Sequence, residues 1–488
     1  MNLTSVFCPN GEVLQKIREL NPLRNKRYSI TDEITLGRMF ADVYGSVIMF
    51  NVTSRTWYVY DGIVWKEDTG DVIVGRCAEK FARLLKVYLA ETVSSDQTEF
   101  EKNYEKFALR LGDRQKRLKM IMDAKNHAHC KTEDFDLQRD YLNVKNGVIN
   151  LRTFELLPHD SSMMLSKVCI CDYVPEASSA VWEQFLNEIM ENDQEKIKYL
   201  QRLCGYALTA DNANEEFYIL YGKTTRNGKS TLLGTVQKMM GTYALSIQPE
   251  SLALRKKDGR TASGDIARLH SCRFLHCSEP QKGMMFDVAL LKDMTGRDVI
   301  TARNLYEREF QFVPVFKLFI NTNVLPSVND MTLFSSGRVK VIEFNRHFTE
   351  AEQNVHLKDE LERNLSGVLN WCLNGLRSYY TEGSVPPESV RRATNVYREN
   401  SDKIGSFISE CLAKKNTCNL TVKEVYDTYR KWCSANGYRT EGKTVFKELL
   451  SGKVPVSETG TVRGQTVHNV VIGYTFTPEA DELTHDYY

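Results

Sequence analysis

The sequence predicts an α/β protein built from several domains, and three observations carry that prediction. The stretch FYILYGKTTRNGKSTLLGTV, Phe217 to Val236, passes from strand formers through a glycine-containing turn into an apolar-periodic helix. Further apolar runs follow it in SCRFLHCSEP, KLFINTNVLP and GRVKVIEF, each short enough to be a buried strand. The paired prolines of SVPPESV, Ser384 to Val390, cannot continue a helix and mark off a C-terminal region with its own helix and strand patterns. The predicted domains are residues 1–175 (α+β), 176–385 (helices and the α/β core) and 386–488.

Composition sets the frame for each element. At 488 residues, with 42% hydrophobic and 26% charged residues, the chain has ordinary globular proportions. No apolar run approaches the roughly 18 residues a membrane span needs. The first twenty residues lack a basic-then-apolar secretory pattern, so the expectation is a cytoplasmic protein with no membrane partner. A net charge of +1 makes any nucleic-acid surface local. Twelve cysteines without a C-x-x-C pair read as reduced, mostly buried thiols. The clusters His127, His129, Cys130 and Cys169, Cys171 read the same way, as structural residues and not zinc ligands.

In chain order, VIMFNVTSRTWYVYDGIVWKED predicts a hairpin whose Trp57, Tyr58, Tyr60 and Trp65 serve a core before they serve base stacking. Helices are predicted from about Val74 to Glu91 and from about Glu99 to Lys125. Tyr141 to Asp160 reads as a compact β element, Ala180 to Leu208 as helical, and Val355 to Tyr380 as one long amphipathic helix. In the last hundred residues, helices at Ile404–Lys414, Thr421–Asn436 and Gly442–Leu450 precede strands near Thr461–Val470 and Gly473–Thr477. Three helices followed by a hairpin is the order of a winged helix, whose third helix, here basic, grips DNA.

Strand, glycine loop and helix N-terminus in succession make a cradle for a polyanion. Backbone N–H groups and the helix dipole face the phosphates, a lysine adds charge and a hydroxyl ligates Mg²⁺. The candidates here are Gly222, Thr225, Asn227, Gly228, Lys229, Ser230 and Thr231, for ATP with Mg²⁺. Five residues separate Gly222 from Gly228 where the usual loop has four, and Lys223 stands at the usual glycine position. Hydrolysis also needs a carboxylate, a polar sensor at the γ-phosphate and a cation for the transition state. Glu279, Asn323 and Arg338 follow in that order at the ends or starts of apolar runs, the layout of an AAA+-like, ring-forming ATPase core. Between them, ALLKDMTGRDVITARNLYEREFQF reads as a short helix and an inserted hairpin with a phosphate-gripping tip.

With WYVYDGIVW, LNVKNGVINL, YGKTTRNGKSTLL, HCSEP, LLKDMTGRDVITARNLY, FKLFINTNVLP, GRVKVIEF and VYDTYRKWCSANGY in this order, the chain resembles superfamily 3 helicases of the phage/plasmid primase-helicase type, related to the poxvirus primase-helicase. That resemblance implies an ATP-driven hexameric DNA helicase translocating 3′ to 5′ on single-stranded and forked DNA. Lys229 would meet the β/γ-phosphates, Ser230 and Glu279 would serve the metal, Glu279 would orient water, and Asn323 would sense the γ-phosphate. Arg338 would enter the neighbouring subunit's site, and Lys292, Arg303, Tyr306 and Arg308 would track DNA in the channel. Two positions depart from the family: Ser278 replaces a metal-side acid, and Gly337-Arg338 stands where relatives often carry two arginines. Long family members carry an N-terminal primase-polymerase domain, and fewer than about 30 residues precede the matching region here, so no primer synthesis is expected of this chain, and a separate primase or polymerase is a candidate partner. The alternatives are a non-unwinding replication initiator or loader and, far behind it, a DNA-packaging motor.

Overall fold

The computed structural model describes residues 9–93, 97–254, 264–303, 309–328, 330–438, 440–478 and 480. Contacts divide the chain into two units: residues 1–326 with 338–387, and residues 327–337 with 388–488.

The first unit begins with helices α1 (Asn10–Leu20), α2 (Glu33–Tyr44), α3 (Val72–Thr92), α4 (Glu99–Leu109) and α5 (Arg114–Ala124). Their apolar faces close over Phe40, Tyr44, Phe81, Leu85 and Met120, all fully buried. A sheet of β1 (Ile48–Asn51), β2 (Thr56–Tyr60), β3 (Trp65–Glu67) and β4 (His129–Cys130), in the order β3-β2-β1-β4, lies alongside. Trp57 belongs to the main core, Trp65 to a smaller cluster with Cys130 and Phe135, and Tyr58 stacks on Phe135 at 5.0 Å. The aromatic set is therefore interior packing. The helix expected from Glu99 to Lys125 is two helices. A 3₁₀ turn at Arg110–Gly112 closes α4, and the Asp113 carboxylate restarts the chain by accepting the Gln115 N–H at 2.6 Å.

Strands β5 (Tyr141–Val144), β6 (Gly147–Asn150) and β7 (Leu156–Leu157) form an antiparallel meander. Among the bonds that tie it to residues farther along the chain, the Asn143 N–H donates to the Tyr243 hydroxyl at 3.1 Å, and Arg273 donates to the Tyr141 carbonyl at 2.7 Å. The helical stretch after it is broken into α6 (Ala180–Ile189) and α7 (Gln194–Ala207). Glu191 and Asn192 both take positive φ there, and Asp193 caps the second helix through the Lys196 N–H.

Next in the chain is a five-stranded parallel sheet, built from β8 (Phe217–Tyr221), β9 (Ala244–Ile247), β10 (Phe274–Ser278), β13 (Lys317–Thr322) and β14 (Val339–Glu343) in the order β14-β8-β13-β10-β9. Phe217 to Leu220 and Leu318 to Ile320 are buried residue after residue, as strands covered on both faces must be. Helix α8 (Lys229–Met240) crosses from β8 to β9, and α9 (Val288–Thr295) leads to the hairpin of β11 (Ile300–Ala302) and β12 (Phe310–Phe312). The long helix expected at 355–380 is α10 (Leu357–Arg363) and α11 (Leu365–Glu382), parted at Asn364, whose backbone leaves the helical region.

In the second unit the order is α12 (Glu388–Ser401), α13 (Lys403–Cys411), β15 (Leu412–Thr421), α14 (Val422–Ala435), α15 (Lys443–Ser451), β16 (Val456–Val462) and β17 (Gln465–Phe476). Phe407, Tyr429, Trp432, Phe446, Leu450 and Val471 share its core. The helix expected to reach Lys414 stops at Cys411, and β15 pairs with β17 instead. Its register breaks between Lys414 and Asn419, so this polar stretch shows no alternation a sequence reading can detect. Among the described residues, no helix is long and apolar enough to cross a membrane.

Candidate active site

Strand β8 lies inside the sheet, with β13 on one side and β14 on the other, and the helix after it runs across to the edge strand β9. The crevice beyond the carboxyl end of such a strand is where open α/β sheets bind ligands. Gly222 opens that loop, and a Cβ there would lie 2.3 Å from Asn227 Nδ2, 2.7 Å from the Phe344 carbonyl oxygen and 3.0 Å from Lys229 Nζ. Lys223 is exposed. The position that must lack a side chain is therefore Gly222, which explains why a lysine is tolerated next to it. Gly228 takes φ +83° as the N-cap of α8, and a Cβ on it would sit 2.3 Å from Ile189 Cγ2 of α6.

Within the loop, the buried Asn227 amide donates to the Thr224 carbonyl at 2.6 Å and its oxygen accepts from Lys229 Nζ at 2.9 Å. Lys229 Nζ also donates to Asn323 Oδ1, at the end of β13, at 2.8 Å. The lysine is 3% exposed. Burial lowers its pKa to about 8, and the nearby Glu279 carboxylate opposes that shift. Thr225 is exposed, its carbonyl accepting from His347 Nδ1 at 2.9 Å, while Thr231 is half-buried one turn into α8.

Glu279 comes directly after β10, exposed, at φ +50°, with its N–H donating to the Asn321 carbonyl at 2.8 Å. Before it, the Ser278 hydroxyl lies 2.8 Å from His276 Nε2, and burial pushes that histidine down to about 4. Asn321 is in register with Ser278 and donates from Nδ2 to Ser230 Oγ at 3.0 Å. Asn321 is a site residue the sequence reading passes over. Its signal is present, because in N-T-N at a strand end the first and third side chains share a face. Beside the loop a cleft of about 500 Å³ is lined by Val181, Phe185, Gly228, Thr231, Phe348 and Leu357 among others.

The structure thus gathers Gly222, Asn227, Gly228, Lys229, Ser230, Glu279 and Asn323 around one loop. It leaves Arg338 at the other end of the sheet. Val339 is in register with Phe217, so Arg338 lies about 16 Å from the loop if five residues rise ~3.3 Å each. There its guanidinium is ion-paired with Glu215 and donates to Thr295 Oγ1 at 3.1 Å. Lys292 is half-buried on α9, the helix that precedes the hairpin in the chain, and its carbonyl accepts from Arg338 at 3.5 Å. Arg303 is exposed just past β11, and Tyr306 and Arg308 lie outside the described residues.

Comparison with known proteins matches residues 37–191 to the family described as "D5 N terminal like". Residues 399–480 match "Poxvirus D5 protein-like", and residues 220–336 a family of unknown function (DUF5906). "Putative helicase 022R" of Frog virus 3 (isolate Goorha) is 29% identical over 254 residues, 47% of this chain and 26% of that one. "Putative helicase L207/L206" of Acanthamoeba polyphaga mimivirus is 26% identical, over 52% and 28% respectively. "Putative helicase 121R" of Invertebrate iridescent virus 3 is 22% identical over 88% of this chain and 53% of its own length. The matched regions span between about a quarter and about half of these relatives, and the resemblance to the poxvirus primase-helicase group holds at both ends of the chain.

Proposed function

From a chain that carries domains of the D5 primase-helicase type at both ends, we propose an ATP hydrolase that unwinds duplex DNA, during replication of a phage or other mobile element, by translocating along one strand. The observation that carries this reading is the grip of Asn323 on Lys229, with Glu279 at the adjoining strand end. It joins a phosphate-binding lysine, a polar sensor and a carboxylate at one crevice of a parallel sheet.

In this reading Lys229, held between Asn227 and Asn323 in the free protein, exchanges asparagine oxygens for phosphate oxygens when ATP enters. Backbone N–H groups from Gly228 onward face the same phosphates at the N-terminus of α8. The donor set fits Mg²⁺. A hard cation that keeps several waters needs few protein oxygens, and the exposed Ser230 hydroxyl and Glu279 carboxylate supply them beside the nucleotide. Bound there, Mg²⁺ would neutralise charge on the β- and γ-phosphates. Glu279 orients the attacking water, and Asn323, already touching Lys229, registers the γ-phosphate.

The strand order β14-β8-β13-β10-β9 supports an AAA+-like core. An arginine at the far end of the sheet cannot reach its own loop, which supports Arg338 acting in a neighbouring subunit's site, and hence a ring, a hexamer by family likeness. In the second unit, helix, strand, two helices and a two-stranded ribbon support a winged helix that binds DNA. The β11–β12 hairpin is the proposed channel element, with Arg303 at its exposed shoulder. The test is ATP turnover with DNA present: Lys229→Ala and Glu279→Gln each abolish it, Glu279→Gln retaining ATP binding. Turnover by either variant at the wild-type rate would refute the site.

A further inference from the structure

Two asparagines two residues apart, Asn321 on β13 and Asn323 just past its end, hold two consecutive residues of the phosphate loop. Asn323 takes the lysine amine, and Asn321 takes the hydroxyl of Ser230 at 3.0 Å. Thr322 between them points the other way and bonds the Val324 carbonyl. Asn321 is polar yet 3% exposed, so its amide is committed to this contact rather than to water. Its in-register neighbour on β10 is Ser278, the position where a metal-side carboxylate is missing.

A serine hydroxyl is a weak, freely rotating ligand. To serve a divalent cation it must keep one lone pair pointed at the metal, and a fixed partner on the oxygen achieves that. We propose that Asn321 is a positioning residue for the metal of the nucleotide complex. Its Nδ2 donates to Ser230 Oγ and fixes the rotamer that presents the remaining lone pair to Mg²⁺. Orientation by a hydrogen bond thus takes over part of what charge at Ser278 would supply. The inference rests on the nucleotide-binding reading above.

The experiment measures affinity for the fluorescent analogue mant-ATP in EDTA and across a MgCl₂ titration, with no turnover required. Wild type, Asn321→Ala, Asn321→Leu, Asn321→Asp, Ser230→Ala, Lys229→Ala and the Ser230→Ala/Asn321→Ala pair are compared. Leucine keeps the asparagine's branching at Cγ without its donor, so it carries the comparison should the alanine variant fail to fold. Binding in EDTA stays within about twofold of wild type for the Asn321 variants, and the Mg²⁺ midpoint of Asn321→Ala and Asn321→Leu rises about tenfold, the usual cost of losing a ligand's partner. Asn321→Asp keeps a wild-type or lower midpoint, because its carboxylate accepts the Ser230 O–H and adds negative charge. Adding Asn321→Ala to Ser230→Ala changes nothing further.

An unchanged Mg²⁺ midpoint in Asn321→Leu overturns the inference. So does a loss of binding in EDTA equal to the loss in Mg²⁺, which would make Asn321 a packing residue of the loop. Failure of the nucleotide reading looks different: wild type and Lys229→Ala would then bind mant-ATP alike, or not at all.

Discussion

Replacing Gly222 by alanine tests the loop at its tightest point. The added Cβ would stand 2.3 Å from Asn227 Nδ2, where an ordinary contact begins at 3.4 Å, so the amide must retreat by about 1 Å. The Phe344 carbonyl at 2.7 Å blocks escape on another side, because its own residue is held to Tyr221 by an N–H···O bond of 2.7 Å. Moving Asn227 breaks its 2.6 Å bond to the Thr224 carbonyl and releases Lys229 from one of its two oxygens. Overpacking of this kind costs about 1–3 kcal/mol of stability. Displacing Asn227 also shifts the loop backbone whose N–H groups face the phosphates, and losing about 1.5–3 kcal/mol of hydrogen bonding to a charged ligand is roughly a ten- to hundredfold loss in nucleotide affinity. The assay is mant-ATP binding beside thermal unfolding of the free protein. Lys223→Gly, at the usual glycine position but exposed, is the control and leaves affinity unchanged. Wild-type affinity in Gly222→Ala, or a large loss in Lys223→Gly, would refute the assignment of Gly222 as the residue that must lack a side chain.

The same geometry sets the outcome of three other experiments. Because Lys229 in the free protein has its pKa lowered to about 8, it loses its charge as pH rises through that value, and phosphates require the charged form. ATP affinity is therefore flat below pH 8 and falls by up to about tenfold per pH unit above it, while Lys229→Arg stays flat; a flat wild-type profile from pH 7 to 9.5 would contradict this. Arg338→Ala abolishes turnover but spares ATP binding, and mixing it with Glu279→Gln subunits restores part of the activity; no recovery in mixtures would remove the cross-subunit role. Arg303→Ala with Arg308→Ala weakens single-strand binding with a shallower salt dependence while turnover without DNA persists, and intact unwinding in that variant would exclude the hairpin as the grip.

Much of the core is legible in the sequence because its chemistry is local. A strand, a loop and a helix start occupy consecutive residues, so Phe217–Val236 can be read directly, as can Glu279 and Asn323 at the ends of apolar runs. Asn321 stands out only as part of a strand end, since its role depends on which strand lies beside β10 and in what register. The place of Arg338 at the opposite end of the sheet is likewise a matter of topology. Apolar periodicity finds the helices but overruns their ends. It carries through Asp113, Asp193 and Asn364, where a capping side chain or a non-helical backbone interrupts the turn without breaking the pattern. Strand β15 escapes because Lys414 to Asn419 is polar and bulged, and its pairing with β17 is a long-range contact.

The central claim is that ATP hydrolysed at this loop is converted into strand separation. A forked DNA duplex with a 3′ single-stranded tail, incubated with the wild-type protein, ATP and MgCl₂, measures it most directly. The account predicts release of the labelled strand by the wild type and none by Lys229→Ala, with ATP consumption rising when DNA is added. Strand release by Lys229→Ala, or ATP turnover by the wild type that never separates a fork, would contradict it.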